Sequence, residues 1–434
     1  MTTLAERARV GRATGRGARR LLALEGGVLL LAAPVLLFPE VRPAATAGAL
    51  AALAVVWALS LLSARTRLPA TPFNLTLLFL ALAFIIGIAV TADPATTLEK
   101  ATGLILGLAV WRFLVVACVS RRHAVWATGG LLLVALGFTL VGILGLQELP
   151  KIPALAAVNP FQRIALPIAI HPNQLAGLIC LYLPLVVALL VAPAGPFAGP
   201  PWRATLAALG AFAVFVLILS QSRGGWLAAA AGLFVLLALW AGALPPSRAR
   251  RGLWWLMAAA AIAGVVAILW IGPAALRDLW LNPPPQTAIG TLTTLNYRKE
   301  LWPWAITAVG DFPFTGVGLG AFRQVAFRLY PLPMAGGQDI AHAHNIFLQT
   351  ALDVGVPGLI AYVALLLGAA AAGWRAARDV DFRAISLGLL AGLAALHVFG
   401  LADALALGSK PGVVFWFAIG LLAVLNKENV IHES

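Results

Sequence analysis

His342, His344 and Asn345, in the stretch AHAHNIFLQTALDVGVPG (341–358), are the residues of this chain whose types and spacing most plainly invite chemistry. Two of the six histidines fall here, in a sequence that is otherwise largely apolar. Three readings fit them. In extended backbone, positions i and i+2 point the same way, so H-x-H can chelate a metal; with Asp339 the only carboxylate close in sequence, nothing completes a ligand set, and we expect no metal. Asn is a favoured helix cap, so a helix can begin at Asn345 and run to about Val354, before the GVPG break. Such a helix is only about 15 Å long, a half-helix whose N-terminal end faces the preceding loop. That end attracts anions and disfavours imidazolium, which would keep His344 in the neutral form needed to take a proton from an attacking hydroxyl, whereas a diphosphate bound beside it would push the other way. We therefore read His344 as a catalytic base.

A base of this kind needs an anionic or polar substrate held beside it, and the cations available are few. Arg223 lies in SQSRGGWL, at the junction of two apolar runs. An unpaired arginine there costs about 3 kcal/mol on insertion scales, so it should find a partner or snorkel to the interface. The small neighbours Ser220, Ser222, Gly224 and Gly225 would let an anion come close. Arg298, in NYRKELW, is the second cation, beside Lys299 and Glu300 on a short helix that could equally be a solvated face. Two guanidinium groups and a histidine together suit a diphosphate, for which the planar fork of arginine is the preferred donor. In HPNQLAG, Pro172 suits a first helical turn and capping explains Asn173 without any function, although substrate contact remains open. Arg163 could add a third positive charge or orient its loop, whereas Arg112, inside an apolar run, should pair within the bundle or line a cavity.

The elements that position these residues are membrane helices. Of 434 residues 61% are hydrophobic and 11% charged, far from the ~25% charge of soluble domains. The net charge of +14 does not mark a nucleic-acid partner, because the bases are scattered singly or in pairs between apolar runs. A span needs about 20 apolar residues. The runs that qualify begin near 21, 44, 73, 101, 124, 172, 204, 224, 252, 355, 384 and 411, which predicts an all-α polytopic membrane protein of about twelve transmembrane helices. Alternation then puts eighteen of the thirty Lys and Arg residues, the six N-terminal arginines among them, on one side, satisfying the positive-inside rule with both termini cytoplasmic. The expected organisation is a basic N-terminal arm (1–20) ahead of a retained first helix, transmembrane helices 1–9 (21–272), a large outer loop bearing the catalytic elements (273–344), a half-helix with helices 10–12 (345–426), and a cytoplasmic tail (427–434). Cys118 and Cys180 lie singly in apolar runs and carry no functional signal.

At these residues the chain resembles the O-antigen ligases, which belong with the O-antigen polymerases in one membrane superfamily. The shared pattern is His-Asn, nine residues, then G-x-x-G, here His344, Asn345, Gly355 and Gly358. PFTGVGLGAF (313–322), SRGGWL (222–227) and HPNQLAG (171–177) are similar to further segments of that family. The resemblance implies a metal-independent, cofactor-free glycosyltransferase of the bacterial inner membrane, acting on the periplasmic face in lipopolysaccharide biosynthesis. It would move O-antigen glycan from undecaprenyl diphosphate to a sugar hydroxyl of lipid A-core. Carried over, His344 matches the catalytic histidine and Arg223 and Arg298 the diphosphate-binding arginines, with His342, Asn345, Arg163 and Asn173 as further substrate contacts. The loop motif reads R-K-E-L, which departs from the ligase leucine spacing and leaves polymerase or protein O-oligosaccharyltransferase as alternatives. A transporter or flippase is a reading from another class; the few charges inside the spans speak against it.

Overall fold

In a computed structural model, residues 4–62, 68–145, 152, 171–284, 294–331, 340–405 and 407–426 are described, with the side chains of 4–16 and 294 left out of the description. Every described element is an α-helix, and each apolar run read from the sequence forms one. Among the described residues, ten helices are long and apolar enough to cross a membrane: α1 (Leu4–Leu37, apolar from Gly17), α2 (Pro43–Leu62), α4 (Pro94–Ala117), α5 (Arg121–Leu144), α6 (Pro172–Val191), α7 (Pro200–Leu219), α8 (Arg223–Ala243), α9 (Arg248–Ile271), α13 (Ile346–Ala376) and α14 (Val380–Phe399). Two further apolar helices, α3 (Asn74–Ala89) and α15 (Gly412–Leu425), have 16 and 14 residues, short of the ~20 needed to span by length alone. Three more helices fall in the interval read as a loop: α10 (Pro273–Leu281), α11 (Thr294–Asp311) and α12 (Phe322–Leu329). The chain is a polytopic, all-helical membrane protein.

Burial sorts these helices. α6 and α14 pack against each other and, with α8, form the centre, while α15 lies against α4 and α13 against α3. Apolar side chains on the outer helices remain exposed, which in lipid leaves no hydration penalty. α9 is the extreme case, with Met257 its only buried residue.

One ion pair lies inside this apolar assembly. Glu25 of α1, fully buried, bonds Arg112 of α4, whose side chain is 14% exposed. This is the partner that Arg112 required, and it ties the first helix to the fourth. Removing one member of a buried pair costs about 3–5 kcal/mol, because the other charge is stranded. Glu25→Ala should therefore lower the melting temperature in detergent, and Glu25→Ala/Arg112→Leu should recover most of the loss. A single variant as stable as the parent would show that the pair holds nothing.

Candidate functional site

Three helix ends and one strap of irregular backbone meet at the site. α8 starts at Arg223, capped by Ser222, whose hydroxyl accepts from the Gly225 N–H at 3.3 Å. The preceding Gln221 is held at φ 51°, in the left-handed region, and its side-chain oxygen accepts from the Ile152 N–H at 2.7 Å. This turn fixes Arg223 with Nη1 buried and without an acceptor among the described residues. Arg298, on α11, donates from Nε to the Ala402 carbonyl at 2.7 Å. Burial holds its guanidinium below the ordinary value, and the nearby Asp403 charge pulls the other way. Both arginines, with Asn173, Asp403, Trp280 and Trp302, line one cavity of ≈ 460 Å³.

Asp403, in the turn after α14, joins that cavity to the histidines. The Asn173 amide donates to its Oδ2, and the Ala404 N–H donates to its Oδ1 at 2.8 Å. His342 Nε2 lies 3.4 Å and His344 Nδ1 3.5 Å from the same Oδ1. The second is a long contact, and His344 Nδ1 has no closer partner among the described residues. The His344 backbone N–H donates to His342 Nδ1 at 3.2 Å, so that nitrogen carries a lone pair and neutral His342 bears its proton on Nε2, towards Asp403. A proton on His344 Nδ1, aimed at the same carboxylate, leaves Nε2 as the basic atom. The two rings are 4.2 Å apart, and Tyr297 meets His344 edge-on at 5.3 Å.

Burial pushes His342 down to about 4, with Asp403 acting in the opposite sense, so at neutral pH it is uncharged. Burial pushes the Asp403 carboxyl up, but His344 and His342 against it more than offset this, and it stays ionised below the usual carboxylate range. Both shifts have the same sign for stability. The unfolded chain protonates His342 near 6.5 while the folded one does so only near 4, so stability is full above pH 6.5 and falls as the pH drops through that window. The melting temperature should decline between those pH values, and His342→Asn should flatten the decline. An unchanged profile in the variant would assign the acid sensitivity elsewhere.

The histidine loop is pinned from both sides. The Ala343 N–H donates to Gln349 Oε1 at 2.8 Å, and its carbonyl accepts from Trp302 Nε1 at 3.1 Å. His344 itself is held at φ 49°, a conformation that costs a non-glycine residue energy and persists only where its surroundings enforce it. Asn345 caps α13, its side-chain oxygen accepting from the Phe347 and Leu348 N–H groups. Gln349 then donates to Asp353 Oδ1 at 2.7 Å, and the same oxygen accepts from the Gly320 N–H at 2.8 Å.

Gly320 belongs to a strap, 313–321, that threads past a break in α13. Gly355 has φ 73°, and the helix kinks there after a first segment from Ile346. The strap satisfies the backbone groups that the break frees: the Val356 N–H donates to the Pro313 carbonyl and the Val317 N–H to the Leu352 carbonyl, both at 2.7 Å. Contact is so close that a Cβ on Gly316, itself left-handed at φ 65°, would lie 2.5 Å from the Leu352 carbonyl oxygen.

Of the residues singled out by sequence, the fold brings Arg223, Arg298 and Asn173 to one cavity and His342 and His344 to its Asp403 wall, with Asn345 at the adjoining helix cap. Arg163 and Asp339 lie outside the described residues. Three readings change. The cap of α6 is His171, whose ring accepts from the Asn173 N–H, so the Asn173 side chain is released to bind Asp403. The histidines are not in plain extended backbone. A carboxylate does stand by them: the ligand atoms of His342, His344 and Asp403 lie within 4.8 Å of one another, a set that could hold a metal ion. Both Asp403 oxygens already accept from protein donors, which favours an imidazole–carboxylate pair over a ligand cluster.

A polytopic membrane protein with a cationic cavity walled by an imidazole–carboxylate cluster is thus the class that fold and site define. Residues 208–363 match the family described as O-antigen ligase, a segment that includes Arg223, Arg298, His342 and His344. The chain is also similar to the exopolysaccharide production protein ExoQ of Rhizobium meliloti (strain 1021), at 31% identity over 173 residues. This match spans 39% of the chain and 38% of that relative, little more than a third of either.

Proposed function

We propose that this protein is a glycosyltransferase that moves a glycan from undecaprenyl diphosphate to a hydroxyl of a membrane-associated acceptor, in the manner of an O-antigen ligase, on the face where Arg223, Arg298 and the histidines lie. The observation that carries this reading is the buried Nη1 of Arg223, without an acceptor among the described residues, in the same cavity as Arg298 and one wall away from the His342–His344 pair. His344 Nε2 takes the acceptor proton as its oxygen attacks the anomeric carbon. The bond from that carbon to the diphosphate oxygen breaks, and its electron pair stays on the diphosphate. Arg223 and Arg298 stabilise the charge as it grows, from positions set before the reaction. One displacement inverts the anomeric centre. No nucleotide is needed, since the diphosphate is itself the leaving group.

The acceptor we favour is the sugar of lipid A-core, at the periplasmic face of a bacterial inner membrane with cytoplasmic termini. The likeness to a protein of exopolysaccharide production supports a second reading, in which the acceptor is the end of another glycan repeat and the enzyme is a polymerase. Purified protein given undecaprenyl-diphosphate glycan with lipid A-core or with a second lipid-linked repeat separates the two by product. EDTA should leave the rate unchanged. Loss of activity in EDTA, restored by a divalent cation, would instead make His342, His344 and Asp403 a metal site. Absence of transfer to either acceptor, with donor and acceptor both bound, would sink the glycosyltransferase reading.

A further inference from the structure

The helices that bring α8, α13 and α14 to the candidate site carry a second cavity at their other ends. It measures ≈ 290 Å³ and is lined by Gly242 and Ala243 at the end of α8, Trp374 and Ala377 at the end of α13, Arg378 in the turn that follows, and Arg383 on α14. α8 runs 21 residues from Arg223 to Ala243, about 30 Å, so the two cavities are a hydrocarbon thickness apart. The second therefore opens at the opposite membrane boundary.

Its charge is unbalanced. Arg378 is exposed, and its side chain has no acceptor among the described residues. Arg383 is half-buried and donates from Nε to the Ala377 carbonyl at 3.1 Å, a bond that orients the guanidinium and leaves its two terminal nitrogens available. The carboxylates next to them in sequence are taken: Asp379 and Asp381 bond Arg121 at 2.5 and 2.9 Å. Among the described residues, two guanidinium groups thus share one recess with no counter-charge of their own. The Trp374 ring, 40% exposed, lies against α8, where a Cβ on Gly242 would stand 3.2 Å from it. An amphipathic ring over a basic recess between helix ends is the composition of a lipid-headgroup site, apolar towards the chains and cationic towards the phosphate. The volume is at the small end of ligand pockets, near ~300 Å³, enough for a phosphodiester with its glycerol.

We propose that this cavity binds the phosphodiester headgroup of an anionic membrane phospholipid, with Arg378 and Arg383 on the phosphate oxygens and Trp374 against the glycerol. Nothing in this assignment depends on the glycosyltransferase reading, since the cavity shares no residue with the candidate site.

Native mass spectrometry of the full chain, released from nanodiscs of mixed phosphatidylglycerol and phosphatidylethanolamine, tests it. The parent protein should retain phosphatidylglycerol in preference, and Arg378→Ala/Arg383→Ala should reduce that retention roughly tenfold or more. Arg122→Ala/Arg251→Ala, which removes the same charge outside the cavity, should leave retention as in the parent. Equal retention in both double variants, or equal loss in both, overturns the assignment. If the alanine pair does not yield folded protein, Arg378→Lys/Arg383→Lys keeps the charge and removes the fork, and should still weaken retention several-fold; unchanged retention there also overturns it. A separate arm adds millimolar inorganic phosphate to lipid-free protein. Phosphate that binds and displaces phosphatidylglycerol completely would make the ligand a free anion and overturn the lipid assignment, whereas lipid retained against phosphate supports it.

Discussion

His344→Ala is expected to lower the rate of glycan transfer by about 10²–10⁴-fold, the range that general-base catalysis supplies. The fall should appear in kcat and leave the KM for donor lipid nearly unchanged, because the diphosphate would be held by Arg223 and Arg298, which remain in the variant. His344 is also a poor candidate for a merely structural role. Its Nδ1 makes only a long contact to Asp403, and it is partly exposed. The variant should therefore elute and melt like the parent. Asp403→Asn gives the companion result: the carboxylate that fixes the tautomer and steadies an imidazolium is lost, and the single amide oxygen in its place can serve the Ala404 N–H while the Asn173 amide loses its acceptor. Its rate should fall less than that of His344→Ala. Substantial transfer by purified His344→Ala enzyme would remove the base from this residue.

The second large effect lies one layer behind the histidines. Asp353→Ala should cost both stability and rate, because the Gly320 N–H and the Gln349 amide lose their acceptor in a fully enclosed place, at about 1–3 kcal/mol for each buried group left unsatisfied. Gln349, once loosened, no longer holds the Ala343 N–H, and the histidine loop loses one of its two pins. Asp353→Asn retains an oxygen in the same place and should restore most of the melting temperature. Thermal denaturation in detergent, run beside kcat for the three proteins, separates the outcomes. An alanine variant as stable and as active as the parent would show that the chain from Ala343 through Gln349 and Asp353 to Gly320 positions nothing.

Much of the fold was legible because lipid leaves the backbone few choices: an apolar run of sufficient length must be helical. The runs near 73 and 411 gave helices in place but shorter than a span, since length along the sequence does not say where backbone pairing stops. The histidines and arginines were legible because they interrupt an apolar background. Asp403 was not. It lies in the short LADALALG turn between two spans, and only the packing of α14 beside the histidine loop brings it there. A lone carboxylate at the outer end of a span, on the side already assigned to the arginines, was the available signal. Asn173 was misread because two residues of HPNQ can cap a helix, and the choice of His171 depends on backbone geometry that sequence does not carry. For Glu25 and Arg112 the signal was present: each interrupts its own span, with opposite sign, and α1 and α4 pack together.

The strap through the break in α13 has a consequence for biogenesis. The N–H of Val356 and the carbonyl of Leu352 are served by Pro313 and Val317, which leave the ribosome well before them but cannot act until the helix has arrived. Insertion of the apolar helices and maturation of the site are therefore separate events, the second waiting on closure of a long loop against its own downstream helix. A chain can be fully integrated in the bilayer and still lack a finished centre.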